Sequence, residues 1–170
     1  MSTHLCLTFW LTASLLFITG CSRDGGAGED GRAGQMVRGN DAAMTAVREA
    51  ARALAEPEPS VNYVAAQMEG VIKARTNSQA LMHYAGYRAT LTTSGDQVTR
   101  VVFELTEARP SVGQLTEVFG KPEEVRRGML YEYHAEATGS TIRILAEPAS
   151  KPATETSLVR RILVEGANVR

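Results

Sequence analysis

Val98-Thr99-Arg100-Val101-Val102-Phe103-Glu104 and Val159-Arg160-Arg161-Ile162-Leu163-Val164-Glu165 read as two versions of one strand. Each has an arginine in third place, alternating apolar residues, and a closing glutamate. Alternation with period two buries one side of a strand and wets the other. Just before the first copy, Tyr87, Ala89 and Leu91 alternate with Arg88, Thr90 and Thr92, and Ser94-Gly95-Asp96 makes the turn between them. In the second half, the pattern predicts strands over about 124–135, 141–146 and 158–165, with a Pro/Ala/Ser/Thr loop over 147–156.

Helical spacing precedes each set of strands. Ser60 is placed to cap a helix with Val61, Val64, Met68, Val71 and Ile72 on one side. Pro110 opens another with Val112, Leu115, Val118 and Phe119, ended by Gly120 and Pro122. A further helix, capped by Asp41 and running to about residue 55, carries Met44, Val47, Ala51 and Leu54. Each half therefore reads helix first, then an antiparallel meander. One such unit leaves a bare sheet face, whereas two side by side make one continuous core. The expected fold class is α+β, with two helix-plus-antiparallel-meander units in tandem, at about 60–109 and 110–166.

The run Leu115-Thr-Glu-Val-Phe-Gly-Lys-Pro-Glu-Glu-Val-Arg-Arg-Gly-Met-Leu-Tyr-Glu-Tyr133 joins a helix ending in Phe-Gly-x-Pro to a charged strand entering Tyr-x-Tyr. It resembles the small lipoprotein of the outer-membrane β-barrel assembly machinery. It is also similar to the β-lactamase-inhibitor-protein fold, a tandem of such units. The resemblance implies a domain that presents a sheet face and loops to a protein partner.

At the other end of the chain, Leu5 to Ile18 is an apolar run of 14 residues without a charged side chain. That suits the core of a secretory signal and falls short of the ~20 residues a spanning helix needs. Ile18-Thr19-Gly20-Cys21 follows: a branched aliphatic, two small residues, then a cysteine. Only a thiolate sulfur can take up a diacylglyceryl group there. The pattern resembles bacterial lipoprotein signals, which implies cleavage before Cys21, acylation with palmitate-type chains, and a lipid anchor in the membrane. Ser22 after the cysteine points, in such lipoproteins, to the outer membrane and a domain facing the periplasm. Residues 1–20 are thus expected as signal peptide, 21–40 as lipidated cysteine plus flexible glycine-rich tether, and 41–170 as the α+β domain.

Removal of 20 residues leaves 170 − 20 = 150, enough for one domain. The two cysteines are Cys6, in the leader, and Cys21, so the mature domain has no disulfide and rests on its core. A formal charge of −1 with both signs interspersed argues against nucleic acid as partner.

No catalytic signature appears: neither Gly-x-Ser-x-Gly nor His-Glu-x-x-His occurs. Adjacent Glu123 and Glu124 point to opposite faces of a strand and cannot converge on one substrate. His83 and His134 lack cysteines or clustered carboxylates and make a poor metal set, so no metal or cofactor is expected. For protein binding the candidates are Tyr84, Tyr87, Arg88, Arg126, Arg127, Tyr131 and Tyr133, because tyrosine and arginine are enriched at interface hot spots. The expected function is a non-catalytic, membrane-anchored protein-binding or assembly accessory. The alternative is a lipid-anchored small-ligand carrier or enzyme with a cleft between the units.

Overall fold

The chain is α+β. Its structure, a computed structural model, describes residues 30–124 and 130–166, with side chains except at 30–38 and 124. The leader, Cys21, the tether up to residue 29, Arg126 and Arg127 lie outside the described residues. The elements are α1 (Asp30–Leu54), α2 (Val61–Gln67), β1 (Ile72–Arg75), β2 (Gln79–Tyr84), β3 (Tyr87–Ser94) and β4 (Gln97–Leu105). Then come α3 (Val112–Phe119), β5 (Glu123–Glu124), β6 (Tyr131–Ala137), β7 (Ser140–Pro148) and β8 (Val159–Glu165).

Local chemistry sets the starts of α2 and α3. The Ser60 hydroxyl accepts from the Tyr63 amide at 3.3 Å. Ser111 forms a reciprocal cap with Gln114, its hydroxyl accepting at 3.1 Å and its amide donating to the Gln114 side chain at 2.8 Å. Both serines follow a proline whose carbonyl accepts from a strand amide: Pro59 from Val98 at 2.7 Å, and Pro110 from Val159 at 2.8 Å.

All eight strands lie in one sheet, every neighbouring pair antiparallel, in the order β1-β2-β3-β4-β8-β7-β6-β5. The two strands that resemble each other in sequence therefore meet at the centre. Arg100 pairs with Glu165, Val102 with Leu163, and Glu104 with Arg161. This register sets the third residue of each copy against the seventh of the other, with the fifth residues on the axis between them.

Helices α1, α2 and α3 cover one face. Val101, Phe103, Ile162 and Val164 from the central strands are fully buried there, with Leu91, Ile142, Ile144 and Tyr133 beside them. The buried stripe of α1 is mostly small: Ala43, Ala46, Val47, Ala50, Ala53 and Leu54. Short side chains let a long helix lie close across the sheet, where close contact gains dispersion energy.

Three sequence expectations are corrected. First, α1 begins at Asp30, not at Asp41. Helix propagation from the packed part, adding one hydrogen bond per residue, carries it through glycines that would each cost ~1 kcal/mol in isolation. Second, the capped helix at Ser60 stops at Gln67 and does not continue through Val71 and Ile72. Glu69 turns to φ +52°, and the Gly70 amide reaches back to the Ala65 carbonyl at 2.8 Å. A Cβ on Gly70 would collide with the Tyr84 hydroxyl and the Met82 sulfur, so glycine lets the chain pass there without displacing those side chains. Ile72 consequently starts β1, and Val71 is left 65% exposed. Third, the single strand expected over 124–135 is a hairpin, β5 with β6, in which Glu123 pairs with Glu132.

Candidate functional site

Opposite the helices no described element covers the sheet, and strand alternation decides what that face displays. Along β4, Arg100, Val102 and Glu104 point away from the core; along β8, Arg161, Leu163 and Glu165 do. Register aligns these into rows across the strands. One row runs His83, Arg88, Glu104, Arg161, Glu147. Another runs Arg100, Glu165, Arg143, His134. Between them lies an apolar stripe, Leu81, Thr90, Val102, Leu163 and Leu145, all half-buried.

Opposite charges directly across strands pair. Glu104 takes both Arg88 and, at 3.5 Å, Arg161. Glu165 takes Arg100 at 2.8 Å and Arg143 at 3.2 Å. Glu132 receives Arg143 through two bonds, at 2.7 and 2.9 Å, with His134 at 3.6 Å. A register shift in β8 leaves Arg160 without a partner residue in β7, so Arg160 and Arg161 both gather at Glu147. Each exposed pair is worth only ~0–1 kcal/mol, but together they hold the side chains in a set pattern on a rigid support.

The hydrogen bond from Arg88 holds the Glu104 carboxyl below the usual glutamate range, and Arg143 does the same for Glu132. Such groups add stability above their unfolded value, near 4.5, and lose it as pH falls through the lowered folded value. Melting temperature is therefore expected to hold from about pH 7 to about pH 5 and to fall below about pH 4.5. Combining Glu104→Gln with Glu132→Gln should flatten that acid limb. Parallel acid limbs in both proteins would show that these carboxylates are not its origin.

Two hollows shape the face. One, of about 600 Å³, opens beside Tyr84, Arg88, Glu104 and Arg161. The other, of about 490 Å³, lies over Leu81, Thr90 and Val102. They share Arg88 and Glu104 as a common wall.

The sequence-predicted binding residues divide. Arg88 lies on the open face. Tyr87 is 6% exposed, stacked on Tyr84 with centroids 4.5 Å apart and tilted against Phe103. Tyr84 donates to the Met68 carbonyl at 3.1 Å, and burial pushes its hydroxyl pKa up to about 12. Tyr133 is 1% exposed, with its hydroxyl on the Val112 carbonyl at 3.3 Å; Tyr131 is half-buried and reaches the Ala153 carbonyl at 3.5 Å. These tyrosines pack beneath and beside the helices, and only Tyr84 and Tyr87 reach the rim of the larger hollow. Arg126 and Arg127 lie outside the described residues, as does Cys21.

The sequence reading missed Arg100, Glu104, Arg143, Arg161 and Glu165 as face residues, and Val102 and Leu163 between the rows. Their signal was the polar phase of the two quoted strands. His83 and His134 stand on strands five positions apart in the sheet, about 24 Å at the usual strand spacing, so they cannot share a metal ion. No family of known proteins, no curated protein and no solved structure matches this chain.

Proposed function

We propose that this chain is a lipid-anchored protein of the bacterial envelope that binds a protein partner on the open face of its sheet, without catalysis. One observation carries the reading: among the described residues, an eight-stranded sheet is backed by helices on one side, and its other side displays an apolar stripe between two rows of internally paired charge. Interfaces combine an apolar centre with a polar rim in this way. The pre-paired charges leave little net field to attract a polyanion, in keeping with a neutral protein surface as partner.

The tandem arrangement belongs to the same proposal. Two units, each a capped helix followed by four strands, are related by an approximate two-fold axis at Val102 and Leu163. The matching caps at Ser60 and Ser111, the matching carbonyls of Pro59 and Pro110, and the symmetric β4–β8 register support it. Anchoring through acylated Cys21, with the domain facing the periplasm from the outer membrane, rests on the lipobox alone. The small-ligand alternative has one observation in its favour, the 600 Å³ hollow at Tyr84 and Arg88.

Leu163→Lys puts a charge at the middle of the stripe and leaves the core face untouched. Cross-linking in isolated membranes should capture a partner with the wild-type protein and lose it at least tenfold in this variant, with the melting temperature little changed. Equal capture by both proteins would exclude this face. Loss of a bound small molecule, in place of a protein, on Arg88→Ala would favour the alternative.

A further inference from the structure

The sheet has a second feature, unconnected with its open face. β5 pairs only with Tyr131 and Glu132, so β6 runs on to Ala137 with its outer side uncovered among the described residues. The hairpin to β7 closes on Ala137 and Ser140 through Thr138 and Gly139, both at positive φ. A two-residue turn of this kind makes Ala137–Ser140 a hydrogen-bonded pair. Odd-numbered residues of β6 therefore bond to β7, and the amides and carbonyls of His134 and Glu136 point outward. No described group bonds to them.

Along that edge, on the helical side, runs a groove of about 260 Å³. It is lined by Val118 and Phe119 of α3, by Arg48 and Arg52 of α1, and by Ala135 of β6 between its neighbours. Arg52 shares Glu49 at 2.7 Å, whereas Arg48 is exposed and forms no ion pair among the described residues.

We propose that this groove takes an extended peptide segment of another protein, added as a strand against β6. Main-chain groups spaced two residues apart are matched by another backbone in extended form. Alternate side chains of that strand then face the helices. One meets Val118 and Phe119 and must be apolar; the next, two residues along, meets Arg48 and Arg52 and must be acidic. The recognised element is thus apolar-x-acidic in β conformation. A second copy of this chain fits less well: its own β6 would turn Tyr133, Ala135 and Ala137 toward the helices and bring no acid to Arg48 in either copy.

The test uses the full-length protein in detergent micelles and a fluorescent octapeptide of alternating threonine and valine with one valine replaced by glutamate. Anisotropy should show saturable binding, weakened more than tenfold by Arg48→Glu, an exposed change that leaves the core alone. A peptide with lysine in place of the glutamate should prefer the variant to the wild type. Backbone amides of His134 and Glu136 should exchange more slowly with the first peptide bound. Glu136→Pro, which removes an outward amide at an edge position, should abolish binding of both peptides. The proposal is overturned by absence of saturable binding at millimolar peptide, by indifference to the Arg48 reversal, by protection at β1 instead, or by dimerisation through β6 without peptide.

Discussion

Phe103→Ala should lower the unfolding free energy by about 3–5 kcal/mol, the range for deleting a buried aromatic ring. Phe103 is wholly buried on the central strand β4, opposite Ala89 on β3 and Ile162 on β8, with its ring 6.2 Å from that of Tyr87. Its neighbours belong to backbone ladders on both sides, so they cannot collapse into the space left behind, and the cavity term persists. A domain of this size has about 5–15 kcal/mol in hand, and none of the described residues is a cysteine, so no disulfide among them compensates. Urea unfolding followed by circular dichroism should show an earlier midpoint with an unchanged slope. Phe103→Leu, which keeps most of the volume, should cost much less. A loss below about 1 kcal/mol for the alanine variant would mean that the centre of this sheet is not the load-carrying core described above.

Cys21→Ser should leave the protein without its lipid anchor, either uncleaved or released from membranes. This follows from the proposed anchor. Each buried methylene contributes ~0.8 kcal/mol, and one acyl chain holds a protein only marginally. Two or three chains on one cysteine hold it for practical purposes permanently, while the serine hydroxyl cannot take up the first of them. Wild type should partition into the detergent phase of a cloud-point extraction and carry the added mass of acyl chains at a new N-terminus. The variant should remain uncleaved or appear in the aqueous phase. Identical partitioning of the two, or an intact mass starting at Met1, would remove both the anchor and the envelope location.

These two experiments probe the opposite ends of what was legible. The Ile18-Thr19-Gly20-Cys21 pattern is contiguous, and the anchor proposed for it depends on one atom type at one position, so it can be read without a fold. The core could be read nearly as well: Val101, Phe103, Ile162 and Val164 announce themselves by period two, and Val61, Val64, Val112 and Leu115 by helical spacing. The binding tyrosines were harder. A tyrosine on a strand gives no sequence signal of the direction it faces until the phase is known, and Tyr87 and Tyr133 fall in the buried phase with Ala89 and Ala135. The end of α2 was equally hidden, because what stops it is Gly70 passing beneath Tyr84 and Met82, residues 14 and 12 places later in the chain.

Sequence alone determined the class of this protein: helices capped by Ser60 and Ser111 and strands with one apolar side. Those properties are local, set by side-chain period, capping groups and chain stiffness. Tertiary structure alone decided that β4 lies against β8, with Arg100 paired to Glu165, 65 residues later in the chain, and hence that Arg88, Glu104, Arg161 and Glu147 form a row. Alternation tells which face a residue takes but never which neighbour it meets. That choice is made when β4 pairs with β8 and the charges are brought side by side.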